Sequence, residues 1–234
     1  MRIALLADLH GNWPATKALE NDLRVQNADQ IICLGDVVGK GPSSPETLDW
    51  ARENCHLILG GNWDYGVGYR RFPGDQYYWD QLGEERLTFL RDLPKEHVLT
   101  LSGRRIRLFH GRPLMEELVT IRNDAEEIQP FFEDEAGVRF DVVGYGDAHR
   151  QALRTLTPGI FFNCGSVGNA LGELRCCYAL LEGNPEDPLA PFEIRFRSLT
   201  YDREEAIRQA KTALHHIPRI DCYIKELETG RYSR

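Results

Sequence analysis

The first sixty residues constrain the fold most. Strand-like runs at residues 2–7, 30–34 and 57–59 are each separated by a stretch with helical signals. Short runs this apolar belong to strands covered on both faces. The intervening segment from about Pro14 to Asn27 keeps Ala15, Ala18, Leu19 and Leu23 at helical spacing, and Pro14 suits a first turn that needs no N–H partner. Ser44 and Pro45 look like the cap and first residue of a second helix. Strand, helix, strand, helix, strand with connections of this length predicts a parallel sheet with helical crossovers.

Residues 64–78, rich in Gly, Tyr and Arg without clear periodicity, read as a long loop. A helix ending near Leu93 follows, then strands at 98–101, 105–109, 140–143, 152–156, 160–162 and 177–181, with a partly helical stretch at 121–135. Phe192, Ile194 and Phe196 alternate with charged residues, the mark of a half-exposed antiparallel strand. Asp202 and Glu205 form a cap-like pair before a helix carrying Ala206, Ile207, Ala210, Ala213 and Leu214. No repeat or linker divides the chain, so residues 1–234 are expected to form a single α/β domain.

Twenty-eight Lys and Arg against 36 Asp and Glu leave a formal net charge of −8, which argues against a general nucleic-acid or membrane-surface binder. No apolar run is long enough to span a membrane, and the first is too short for a signal-peptide core, so a cytoplasmic protein is expected. The six cysteines form no C-x-x-C pair and are expected to be reduced.

Polar residues fall just past the ends of the strand runs: Asp8 and His10, Asp36, Asn62, His110, and Asp147 with His149. That edge of an α/β sheet is where ligands bind. The spacing between the first three positions fits one βα unit each, so neighbouring strands bring them together. A set of carboxylates, imidazoles and an amide without thiolate suits Mn, Fe, Zn or Mg. Seven such residues favour two ions over one, with Asp36 as a bridge. Two ions would render a water acidic enough to serve as hydroxide and would stabilise an in-line phosphoryl displacement.

The order of these blocks resembles the calcineurin-like metallophosphoesterases. The matching segments are Asp8-Leu9-His10-Gly11-Asn12, Gly35-Asp36-Val37-Val38-Gly39-Lys40-Gly41-Pro42, Gly61-Asn62-Trp63-Asp64, His110-Gly111 and Gly146-Asp147-Ala148-His149, followed by Asn163-Cys164-Gly165-Ser166-Val167-Gly168. The tail resembles the small bacterial and archaeal branch. The resemblance implies a four-layer α/β/β/α sandwich of two mixed sheets with a two-metal centre in its loops. It implies Asp8, His10, Asp36 and His149 around one ion, and Asp36, Asn62, His110 and Asp147 around the other, with Asn62 also positioning phosphate.

Two departures from the pattern bear on chemistry. The family's third block is usually Gly-Asn-His, whose His assists the leaving group; here Trp63 stands there, and indole only donates a hydrogen bond. The last block is usually Gly-His-x-His, and Asp147 occupies the first His position; as a harder ligand it would favour Mn or Fe, with Zn or Mg as alternatives. An alternative alignment puts Tyr145 opposite that His and leaves one ligand in the block.

The implied activity is that of a dinuclear phosphoesterase in which metal-bound hydroxide attacks a phosphodiester or a nucleoside polyphosphate. The alternatives are a phosphomonoesterase, including one acting on phosphoprotein, and a metal-bound nucleotide sensor or scaffold with little turnover. Candidate substrate contacts are Asn12, Arg112, and Arg70 with Arg71 in the 64–78 segment, whose aromatic residues either stack a base as a lid or pack the loop onto the domain. Gly39-Lys40-Gly41 matches neither G-x-G-x-x-G nor the Walker pattern and is better explained by turn geometry.

Overall fold

A computed structural model describes residues 1–233. The apolar N-terminal run becomes β1 (Arg2–Leu6), and its side chains are shared between two cores. Ile3 and Leu5 face one apolar layer while Ala4 and Leu6 face another, which is why the run shows no polar alternation. After α1 (Trp13–Gln26), β2 (Gln30–Cys33), α2 (Ser44–Asn54) and β3 (Leu57–Ile58), the three strands lie parallel in the order β1-β2-β3. The second helix begins one residue earlier than its Ser-Pro signal predicts, with Ser43 at the cap.

The chain continues through α3 (Asn62–Gly68), α4 (Gln76–Arg91), β4 (Glu96–Leu101), β5 (Arg104–Phe109), α5 (Ala125–Ile128), β6 (Val142–Tyr145), β7 (Ala152–Thr155), β8 (Ile160–Asn163), β9 (Cys176–Glu182), β10 (Glu193–Leu199), α6 (Arg203–Thr212) and α7 (Ile220–Thr229). One mixed sheet has the order β10-β9-β1-β2-β3, the other β4-β5-β6-β8-β7. The predicted alternating strand is β10, antiparallel to β9 at the sheet edge. Leu5, Leu34, Ile106, Leu108, Val142 and Phe162 pack between the sheets. Helices α1, α2, α4, α6 and α7 contribute to the core on the outer face of the first sheet. On the far side the fourth layer is thin, built from α5, a short 3-10 turn at Gln129–Phe132, and Phe109, Phe140 and Phe161. The architecture is the expected α/β/β/α sandwich.

The expected loop at 64–78 is a correction. Most of that segment is helical: α3, a 3-10 turn at Pro73–Asp75, and the start of α4. Its aromatic residues obscured the periodicity because they divide between inside and outside. Tyr65 and Tyr78 are buried in the main core, whereas Tyr69 and Phe72 are exposed. All six cysteines are unpaired, four of them buried. Among the described residues no helix is long and apolar enough to cross a membrane.

Asp22 ties α1 to the sheet, accepting hydrogen bonds from Tyr178 Oη on β9 (2.6 Å) and Arg197 Nη2 on β10 (2.8 Å). Burial would raise this carboxyl, but the bonds from Arg197 and Tyr178 outweigh it and hold it below the usual carboxylate range. Its contribution is therefore complete above the unfolded-state pKa of about 3.9 and is lost as pH falls through the lower folded value. We expect Asp22→Ala to cost about 2 kcal/mol at neutral pH, allowing for partial exposure. Urea titrations should show the gap from wild type closing below about pH 4; a gap unchanged from pH 7 to pH 3 would contradict this role.

Candidate metal centre

The C-terminal ends of β1 and β2 deliver Asp8, His10 and Asp36 to one point, all three buried. The ends of β5 and β6 deliver His110 and His149 to the same point from the other sheet. Asp8 Oδ1 lies 3.2 Å from His149 Nε2, 3.7 Å from His10 Nε2 and 3.8 Å from His110 Nε2. Asp36 Oδ2 lies 3.2 Å from His110 Nε2 and 3.7 Å from His10 Nε2. Two sets of atoms sit close enough to share an ion: Asp8, His10 and His149, and Asp8, Asp36 and His110. The sequence expectation makes Asp36 the shared residue; in the structure Asp8 is the residue common to both sets, and Asp36 belongs to one.

Each imidazole is oriented in the same way. His10 Nδ1 faces Val38 O (3.3 Å), His110 Nδ1 faces Leu34 O (3.1 Å) and His149 Nδ1 faces Asn169 O (2.8 Å). The carbonyl partners place a proton on Nδ1 and turn each Nε2 inward, the arrangement of metal-ligating histidines. Asp8 Oδ1, Asn62 Oδ1 and His110 Nε2 are buried and have no hydrogen-bond partner. Buried polar atoms are rarely left so, and Asp8 Oδ1 and His110 Nε2, 3.8 Å apart, fit a cation shared between them.

The electrostatics agree. Burial would favour neutral His110, but the carboxylates of Asp36, Asp8 and Asp147 outweigh it and push its pKa up to about 10. Burial, with Asp8 and Asp147 nearby, raises the Asp36 carboxyl despite the opposing pull of His110. His10 is held well below its usual value by burial and by Lys40, His149 and His110. The cluster thus draws in positive charge, and a proton on His110 and a divalent ion are competing ways to supply it.

Asp8, His10, Asp36, Asp147 and His149 all have left-handed backbones, with φ of 58°, 48°, 55°, 62° and 56°. Such outliers cluster at functional sites. The Asp64 carboxylate holds the Asp36 turn in place, accepting from the backbone N–H groups of Asp36 (2.7 Å), Val37 (2.9 Å) and Gly61 (3.0 Å). Gly61 is required there because a Cβ would collide with the Asp36 carboxylate. Ser166 accepts from Asn169 N and donates to Asp8 O (2.9 Å each), so the Asn163–Gly168 block buttresses the first ligand loop.

Other predicted residues fall elsewhere. The carboxylate of Asp147 lies in neither ligand group; it is turned to Arg112. Asn12 is a correction: its side chain caps α1 by accepting from Ala15 N and donates to Gly168 O, so it is buried structure rather than a substrate contact. Arg70 and Arg71 fit the reading in which this segment packs onto the domain. Arg70 pairs with Glu84 (3.0 Å) and lies over Trp79, Arg71 lies over Tyr69, and neither lines the cleft above the centre. Trp63 does line it, set edge-on to His10 with its backbone N–H donating to Asp36 Oδ1 (2.8 Å).

That cleft encloses about 530 Å³. Asn62, Trp63, Arg112 and His149 form the near walls, and Arg219, Tyr223 and Glu226 of the C-terminal segment close the other side. Lys40 reaches into it, donating to Asn169 Oδ1 (2.7 Å) and pairing with Glu226 (3.3 Å). Lys40 and this C-terminal wall escaped sequence reasoning. The left-handed φ of Lys40 agrees with the turn reading of Gly39-Lys40-Gly41, which carried no hint of where the side chain points.

The model of the calcineurin-like phosphoesterase superfamily domain matches residues 1–185. The uncharacterised protein MJ0912 of Methanocaldococcus jannaschii is 30% identical over 155 residues, 62% of this chain and 58% of that protein. This chain therefore aligns with less than two thirds of the relative's length. Among solved structures, a metallophosphoesterase from Sphaerobacter thermophilus superposes with a TM-score of 0.74 at 23% identity, covering 98% of this chain and all of that one. The hypothetical protein PH1004 from Pyrococcus horikoshii OT3 superposes at 0.75 with 20% identity, over 99% of each chain. Zn-complexed Vps29 from Entamoeba histolytica shares the fold more loosely, at a TM-score of 0.52 and 17% identity over 85% of this chain and 99% of that one. With the family model spanning most of its length, and with a buried carboxylate and imidazole cluster at the strand ends, this chain belongs to the calcineurin-like phosphoesterase superfamily.

Proposed function

We propose that the protein is a metal-dependent phosphoesterase acting on a small phosphodiester or nucleoside polyphosphate. The observation that carries this reading is the two buried sets of ligand atoms around Asp8, Asp36 and His110, with Asp8 Oδ1 and His110 Nε2 unpartnered, beside a cleft lined by Asp36, Asn62 and Arg112. Asp8, His10, Asp36 and His149 would hold one divalent ion, with Asn62 and His110 beside Asp36 toward a second. The all-oxygen and nitrogen donor set favours Mn or Fe, with Zn or Mg as alternatives. Bound ions supply Lewis acidity, activating a water and stabilising charge on phosphoryl oxygens.

The chain's own residues supply the rest. Asn62 and Arg112 line the cleft where a phosphoryl group would approach the cluster, and the Arg112 guanidinium offers N–H donors matched to phosphate oxygens. A second cavity of about 510 Å³ adjoins the first, sharing Leu118, Ala148, His149 and Leu171 with it and carrying Arg122 and Arg150. Two lobes meeting beside His149 suit a substrate with groups on both sides of the scissile phosphate, which supports a diester or anhydride over a monoester. The net charge of −8 disfavours nucleic-acid polymers as substrates. The low-turnover sensor is the second reading, favoured by Trp63.

Purified protein supplied with Mn²⁺ should hydrolyse bis(p-nitrophenyl) phosphate, and Asp36→Asn should reduce kcat/KM by at least about 10². Bound metal without turnover on any ester or anhydride would favour the sensor. Trp63 cannot protonate a leaving group, and general acid catalysis contributes about 10² to 10⁴ in rate. Aryl diesters should therefore be cleaved far faster than alkyl diesters, with Trp63→His narrowing the gap; equal rates on both in the wild type would contradict this.

A further inference from the structure

Asp147 stands where the resemblance places a ligand to a second ion, yet its carboxylate is already engaged. Oδ2 accepts from Arg112 Nε (2.8 Å) and from Arg112 N (3.0 Å), and Oδ1 accepts from Arg112 Nη2 (2.6 Å). Those three bonds take most of the roughly four acceptor positions of a carboxylate. Fork-to-fork pairing of this kind is the strongest arrangement available to the two side chains. The local chain is built for it. Gly111 has φ +143°, and a Cβ there would lie 2.7 Å from Asp147 Cβ, so only glycine lets the His110 loop pass this close.

Burial separates the partners. The Asp147 side chain is 2% exposed and that of Arg112 43%, so the carboxylate anchors from below while the guanidinium faces the cleft. The first set of ligand atoms is complete without this pair. The second joins Asp8, Asp36 and His110, with the unpartnered Asn62 Oδ1 as a further donor, but lacks a free group at position 147.

We propose that Asp147 is a positioning residue for Arg112 rather than a metal ligand. The centre is then asymmetric. One divalent ion is held tightly through Asp8, His10, Asp36 and His149, and a second only weakly, with Arg112 as the fixed cation on that side. This inference rests on the metal-dependent reading above. It also withdraws Asp147 as a ground for preferring hard metals, leaving that preference to the remaining donors.

Equilibrium dialysis of metal-stripped, full-length protein against graded free Mn²⁺, with bound metal counted by elemental analysis, tests it. The wild type should fill one site and take up a second ion only at about 10- to 100-fold higher free Mn²⁺. Asp147→Asn should leave the first ion's affinity in place. Arg112→Met frees the carboxylate and should tighten the second ion about tenfold without tightening the first; a pure charge effect would tighten both. The double variant Arg112→Met/Asp147→Asn should return the second site to weak binding. Two ions of equal affinity in the wild type, or loss of a tightly held ion in Asp147→Asn, would overturn the inference while sparing the metal-dependent reading. Failure to bind any Mn²⁺ would overturn both.

Discussion

Asp8 and Asp36 are enclosed where the edges of the two sheets meet, and their charge organises everything around them. A carboxylate shut away from water is costly unless a cation or several donors answer it. Here the answer is partial. Asp36 Oδ1 receives the Trp63 N–H and Asp8 Oδ2 the Asp147 N–H, while Asp8 Oδ1 has no hydrogen bond. Three imidazoles surround the pair with their Nε2 atoms turned inward. A molecule that only needed stability would fill this space with apolar side chains; the retained polarity is the signature of a cation site.

Maintaining that geometry has a conformational cost. Five non-glycine residues at the centre have left-handed backbones, each disfavoured by about 1 kcal/mol or more. Backbone hydrogen bonds between loops from different strands hold them there: Asp8 N to Gly35 O (2.9 Å), His10 N to Asp36 O (3.1 Å), Gly146 N to His110 O (2.7 Å) and Gly168 N to Asp8 O (2.9 Å). The ligand loops are thus tied to one another rather than separately to their own strands. The apolar layer between the sheets fixes the strand ends, and the strand ends fix the loops.

Much of this was legible in the sequence, for a local reason. Residues 3–7 declare a doubly covered strand by composition alone, and the residue just past each such strand must lie at the sheet edge. Asp8, Asp36, Asn62, His110 and His149 could therefore be gathered without knowing any contact between them. What was hidden depends on partners distant in sequence or on side-chain direction. Asn12 looks like part of a ligand block, and only Gly168 and Ala15 reveal it as a cap. The helices of 64–78 were masked by aromatic residues split between core and surface. Lys40 meets Glu226 across 186 positions, a pairing no local pattern announces. Asp147 was placed correctly at a strand end, but its partner Arg112 could only be recognised once both loops were side by side.

The measurement that bears most directly on the metal centre is an anomalous difference map from crystals grown with Mn²⁺. The strongest peak should lie between Asp8, His10, Asp36 and His149, within coordination distance of all four. An absent peak at saturating Mn²⁺, or a strongest peak away from these residues, would contradict the assignment of this cluster as the metal centre.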